Sequence, residues 1–116
     1  MKMSTAKTDK SGLISICRKA GKLKSGMDIV KSACMSGEAK AVFAASDLSP
    51  KSLKELRFNA AKYSIPVYQL QMDMEQIAMA MGKRTGILAV TDGGFAKSMA
   101  KGTEMISADI EDFYNE

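Results

Sequence analysis

A chain of 116 residues is long enough for one hydrophobic core and too short for two. With 46% apolar and 26% charged residues it has the make-up of an ordinary soluble domain, and no apolar run nears the roughly 18 residues of a membrane span. Two cysteines without a C-x-x-C pair, and no histidine at all, argue against zinc sites, redox motifs and the usual general base, so neither metal nor cofactor is expected.

The net charge of +4 conceals an asymmetry. All 17 basic residues and 8 of the 13 acidic ones fall in residues 1–102, a body charge of +9, while Glu104, Asp109, Glu111, Asp112 and Glu116 follow without a single Lys or Arg. A body that basic suits a polyanionic partner, and the acidic end reads either as a solvated tail or as one that transiently covers the basic face. The domain plan is therefore a flexible leader over 1–10, one domain over 11–102 and an acidic tail over 103–116.

In chain order, the opening MKMSTAKTDKSG lacks an apolar h-region and is read as leader rather than signal peptide. GLISICRKA places Leu13, Ile16, Cys17 and Ala20 at helical spacing, and Gly21 stops the helix. Lys22-Leu23-Lys24 is a short extended piece. Met27 to Met35 is a second helix with Met27, Val30, Ala33 and Cys34 inward, closed by Gly37. The cysteines read as buried thiols in a reducing cytoplasm.

AVFAA, Ala41 to Ala45, is a continuous apolar run that suits a strand buried on both faces. Ser49 then caps a helix with Pro50 at its first position. That helix runs Lys51 to Tyr63 with Leu53, Leu56, Ala60 and Ala61 inward and Lys54, Arg57 and Lys62 outward. Val67 to Leu70 is a strand, Asp73 caps a helix through Met81, Ile87 to Thr91 is another buried strand, and Phe95 to Ala100 is the last helix. Alternating strands and helices imply an α/β fold: a three-layer α/β/α sandwich around a small mixed sheet of about four strands.

Three motifs invite chemistry. MGKRTG, Met81 to Gly86, fails as a phosphate loop because Ile77 stands for the first Gly and Arg84 for the metal-binding Ser or Thr. TDGGFAKS reads as a strand-to-helix turn more readily than as an anion site. Met72, Met74, Met79 and Met81 read mainly as packing filler, with an exposed lip for a nucleobase or a protein partner as the alternative. No nucleophile–base pair is visible, and an enzyme is not expected.

The run RKAGKLKSGMDIVKSACMSGEAKAVFAASDLSP, the SIPVYQL strand, IAMAMGK and VTDGGFAKSM, taken in order from about Gly12 to Met99, resemble the kink-turn RNA-binding family of ribosomal proteins L7Ae and L30e, in particular its small bacterial YlxQ-type branch. The resemblance implies a cytoplasmic protein, monomeric when free, that binds structured RNA, ribosomal or another kink-turn RNA. In that family a loop of the form Gly-Asn-Glu-x-Thr-Lys enters the widened groove of a kinked RNA. By position Gly26, Met27, Asp28, Val30 and Lys31 match it. A second loop, Leu-Gly-x-Ala-x-Gly, supports an extruded nucleotide and is matched by Ile77, Ala78, Ala80 and Gly82, with Met79 and Met81 between. Met27 lacks the hydrogen-bonding groups of Asn, Asp28 is a methylene shorter than Glu, and Ala78 replaces a Gly, so weaker binding or a variant motif is implied.

The residues support the same face independently. Arg18, Lys19, Lys22, Lys24 and Lys31, with Ser25 between, crowd one loop with only Asp28 among them, so phosphates would meet lysines and Asp28 would accept from a guanine edge. The plain alternative makes Asp28 a helix cap paired with Lys31.

Overall fold

The computed structural model describes residues 10–113, apart from the Asp112 side chain; nearly all of the expected leader lies outside the described residues. Five helices and five strands follow in order: α1 (Ser11–Lys19), β1 (Leu23–Ser25), α2 (Met27–Ser36), β2 (Ala41–Ala44), α3 (Pro50–Lys62), β3 (Val67–Gln69), α4 (Met74–Met81), β4 (Ile87–Val90), α5 (Gly93–Ala100) and β5 (Glu104–Met105), then a short 3-10 turn, Ile110–Phe113. The sheet order is β1-β4-β2-β3-β5, with β2 and β3 parallel and the other neighbours antiparallel.

The two apolar strands organise everything else. Side chains alternate across a strand, so Phe43, Leu88 and Val90 face one layer and Val42, Ala44, Ile87 and Ala89 the other. Every residue of β2 and β4 is buried, as expected of continuous apolar runs. Ile14, Cys17, Ile77 and Met99 cover the first face from α1, α4 and α5, and Val30, Cys34, Leu56 and Ala60 cover the second from α2 and α3. The result is the three-layer sandwich. Both thiols are buried and free, and burial pushes each above the ordinary cysteine range, Cys17 with a further push from the Asp92 carboxylate.

Local chemistry sets the helix boundaries. Ser49 accepts from the Ser52 N–H with Pro50 at the first helical position, and Asp73 and Gln76 form a reciprocal capping box on α4. Asp92 accepts from the Phe95 N–H, so TDGG is a capped turn into α5. Met72 and Met81 are core, and Met79, 85% exposed, is the exception among the four clustered methionines.

Three expectations need correcting. The inward face of α1 is Ile14 and Cys17 and not the Ile16 stripe: Ile16 is 57% exposed, because α1 packs against α4, where the Ser15 hydroxyl donates to the Ala80 carbonyl at 3.4 Å. The sheet has five strands, not four. The fifth comes from the segment read as an acidic tail beginning at 103: Tyr68 pairs with Met105 and Gln69 with Glu104. Arg57, read as outward, donates its Nε–H to the Ile106 carbonyl at 2.7 Å, and Phe113 packs edge-on against Phe58 at 5.2 Å.

Candidate functional site

Strands β1, β2 and β3 all run the same way, and β4 runs against them. The turn from β1 into α2 and the connection from α4 into β4 therefore meet at one end of the sheet. Gly26 forms the first turn. Its φ of +96° and ψ of +146° lie in a region essentially reserved for glycine, and its N–H donates to the Ile87 carbonyl at 3.1 Å. The sharp turn starts α2 immediately, and the Val30 N–H closes the first helical bond onto the Gly26 carbonyl at 2.9 Å.

No side chain caps this helix. Among the described residues the N–H groups of Met27, Asp28 and Ile29, the orphan donors of a first turn, have no partner. Asp28 is exposed, and among the described residues its carboxylate makes no hydrogen bond or ion pair. Gly26 is the cap, and Asp28 sits in the first turn of α2, where a carboxylate favours the helix N-terminus, close enough to Lys31 to act on its charge.

Basic side chains frame this turn. A groove of about 480 Å³ is lined by Arg18, Lys24, Ile29, Gly82 and Lys83, and a neighbouring one of about 420 Å³ by Lys24, Asp28, Ile29 and Ser32. The Arg18 guanidinium stands beside the α4 C-cap, where a Cβ on Gly82 would lie 4.0 Å from its Nη1. Among the described residues Arg18, Lys19, Lys22, Lys24 and Lys83 form no ion pair. Unpaired cations around orphan N–H donors make an anion-attracting surface.

The sequence assignment is met unevenly here. Arg18, Lys24, Gly26 and Asp28 come together; Lys19 and Lys22 are exposed nearby at the end of α1 and the start of β1. Ser25 is buried at the wall of the groove, and Met27 packs partly against the core. Val30 and Ile77, assigned by position in the resemblance, are fully buried core side chains and present nothing to a ligand; Ala80 is 7% exposed. Of the second loop, Ala78 is partly and Met79 largely exposed. Lys31 turns toward α3, its Nζ 2.8 Å from Glu55 Oε2. That bond and the Glu55 charge hold the ammonium above the ordinary lysine range, with a smaller push from Asp28.

Ile29 and Lys83 also line the groove and lie outside the sequence assignment. Ile29 is 53% exposed on α2, an apolar residue outside the inward stripe, and that break in amphipathicity was the available signal. Lys83 follows the C-cap glycine of α4 and was passed over with the failed phosphate loop.

The architecture recurs in solved structures. A Bacillus halodurans protein of unknown function superposes with a TM-score of 0.74 and 26% identity, covering 80% of this chain and 94% of that one. A Giardia lamblia 15.5 kD RNA-binding protein superposes at 0.67 with 13% identity, covering 87% and 86%, a likeness of fold alone. In sequence, the chain is 32% identical over 85 residues to an RNA-binding protein YlxQ of Enterococcus faecium, covering 73% of this chain and 82% of that protein. The family model for the ribosomal protein L7Ae/L30e/S12e/Gadd45 family matches residues 9–100, nearly the whole sandwich from the start of α1 to the end of α5, and to that family the chain belongs.

Proposed function

We propose that this protein binds RNA through the Gly26 end of its sheet, and that its preferred RNA is kinked, of the kink-turn type, and ribosomal. The observation that carries the proposal is the exposed, unpaired Asp28 carboxylate set among unpaired cations at an uncapped helix N-terminus. A surface selected only for attraction to phosphate gains nothing from a carboxylate, which repels the backbone. A carboxylate does accept from guanine N–H edges, which lysine cannot. Arg18, Lys24 and Lys83 supply phosphate contacts, and Ile29 and Met79 supply apolar contact to unstacked bases. The family and the YlxQ relative's name support RNA as the partner.

The division of labour predicts specificity. A kinked RNA brings phosphates and displaced guanine edges within reach of one loop, whereas a straight duplex offers phosphates alone. Filter-binding titration should favour the kinked RNA over a straight duplex of equal length by at least about tenfold, on the scale of one specific base contact. Equal affinity for both would leave an electrostatic surface without kink recognition; no affinity for either would point to a protein partner, for which the exposed Met79 is the apolar contact. Co-sedimentation with ribosomal subunits tests the ribosomal assignment, and a chain found only in the unbound fraction counts against it.

A further inference from the structure

At the opposite end of the sheet from Gly26, a groove of about 690 Å³ opens between α5 and the starts of β2 and β3. Its existence follows from the layering. α5 is a short helix packed on α1 and β4, and the groove runs beside it where β2 and β3 begin. Ala41, Ala96 and Ala100 line it with short side chains, the first two buried and Ala100 half-buried, and the half-buried Tyr68 ring forms one wall. That ring is fixed by stacking on Phe43, centroids 5.4 Å apart and planes 21° from parallel. Its hydroxyl has no hydrogen bond among the described residues.

Lys40, Lys97 and Lys101 stand around this lining, all exposed, and no acidic residue lines the groove. Among the described residues none of the three forms an ion pair. Lys97 and Lys101 do sit at the C-terminus of α5, where lysines commonly serve, yet neither ammonium bonds a carbonyl there among the described residues. Lys10 already fills that place on α5: its ammonium donates to the Ser98 carbonyl at 3.3 Å and to the Lys101 carbonyl at 2.6 Å. Three like charges gathered around an apolar lining repel one another, and the arrangement is relieved by an anion from outside. The chain's own N-terminal segment is a poor occupant, because Lys2 and Lys7 outnumber Asp9 there.

We infer that this groove is a second nucleic-acid site, taking a single-stranded segment with its phosphates at Lys40, Lys97 and Lys101 and a base against Tyr68 and the alanine lining. Ammonium groups tracking a backbone beside an apolar and aromatic surface are what sequence-tolerant single-strand binding uses. An acidic peptide would satisfy the charges but would leave the Tyr68 ring without a flat partner to stack on. The two sites lie at opposite ends of one rigid sheet, so a single copy of the protein joins two RNA segments. The choice of nucleic acid over another anion rests on the reading of the Gly26 end; the groove stands on its own geometry.

The test uses the full chain and a short oligouridylate, which has no kink. Oligonucleotide titrated into 15N-labelled protein should shift the amides of Lys40, Ala41, Tyr68 and α5. Replacing all three lysines (Lys40→Gln, Lys97→Gln, Lys101→Gln) should weaken that binding about tenfold or more at low salt and flatten its log–log salt slope by about 2, near 0.7 for each phosphate contact on a single strand. The same variant should keep its affinity for kinked RNA within about twofold, since it leaves the other end untouched. Shifts confined to the Gly26 end, an unchanged slope in the triple variant, or groove shifts with a polyglutamate peptide but not with oligouridylate would each overturn the inference. A failure of the Gly26 reading looks different: kinked and straight RNAs bind alike while oligouridylate still perturbs the groove.

Discussion

The Gly26 turn and the segment from Glu104 to Phe113 are both short, and the sequence treats them in opposite ways. Gly26 announces itself locally, as a glycine between a basic extended piece and an amphipathic helix, and the positive φ makes that glycine obligatory. The later segment announces only its charge, and charge suggested a loose tail. Its actual attachment is through main chain and single contacts. Glu104 and Met105 pair with β3, and the Ile106 N–H donates to the Val67 carbonyl at 2.8 Å. The Val67 N–H donates to the Ser107 hydroxyl at 2.8 Å. Strand pairing is blind to side-chain charge when the side chains point to water, so an acidic stretch can close a sheet edge as readily as a neutral one.

The largest effect should come from deleting that attachment. Ending the chain after Gly102 removes the β5 pairing, the Ser107 contact, the acceptor of Arg57 and the Phe58–Phe113 edge contact. At about 1 kcal/mol for each hydrogen bond and a similar amount for the aromatic pair, the loss should be about 3–5 kcal/mol in urea denaturation. An unchanged midpoint would restore the loose tail that the charge suggested. Glu104→Gln with Glu111→Gln keeps the backbone and isolates the electrostatic part: if the acids compete with RNA, affinity rises at low salt and the gain fades as salt is added.

At the other region the sensitive element is one dihedral. Gly26→Ala meets no atom within 4 Å, so crowding is not the problem; the positive φ is. The expected loss is about 1–3 kcal/mol of stability, with weaker RNA binding because Asp28 and the first turn of α2 shift together. Gly12→Ala is the control. It lies in α1 with open space around it and no positive φ, so it should be neutral or stabilise by up to about 1 kcal/mol. Equal behaviour of the two variants by thermal denaturation would show that the Gly26 turn is not strained.

How far the fold is legible follows from which interactions are local. Caps at Ser49 and Asp73, the stops at Gly37 and Gly82, and the two doubly buried strands are written within a few residues each, and all stand where the sequence puts them. The facing of α1 is not local. GLISIC offers Ile14 and Ile16 with equal hydrophobicity, and contact with α4, more than sixty positions later, decides for Ile14. The candidate site shows the same division. Position in the resemblance alone assigns Val30 and Ile77, although helical periodicity marks Val30 for the core and both are fully buried. Ile29, one residue from Val30, is the side chain that reaches the surface groove.

The next effect in size separates recognition from attraction at the Gly26 end. Asp28→Ala should weaken binding to kinked RNA by about 1–3 kcal/mol while leaving a straight duplex equal or slightly tighter, since a repulsive charge is gone. Because Asp28 makes no ion pair among the described residues and supports α2 only as a first-turn carboxylate, stability should fall by no more than about 1 kcal/mol. Asp28→Asn keeps an acceptor and should fall between wild type and Ala. Wild-type affinity of Asp28→Ala for kinked RNA would remove the carboxylate from the interface.

The smallest effect concerns Lys31, which the resemblance gives to phosphate and the structure gives to Glu55. Both side chains are well exposed, so solvent screens the pair and it contributes little to stability. It matters as a competition: to reach a phosphate, Lys31 must leave its 2.8 Å bond to Glu55. The ammonium is held above its ordinary range by that partner, so it stays charged at any pH suited to RNA binding, and pH is not the lever. Removing the competitor is. Glu55→Gln keeps a hydrogen-bond acceptor but drops the charge, freeing Lys31 to swing toward the Gly26 turn and lowering local repulsion of phosphate. Affinity for kinked RNA at low salt should rise about two- to threefold, within the worth of one exposed ion pair. In the Lys31→Ala background most of that gain should vanish, because the freed group is no longer there. If Glu55→Gln tightens binding equally with and without Lys31, the effect is bulk charge alone, and Lys31 belongs to the α2–α3 seam and not to the RNA face.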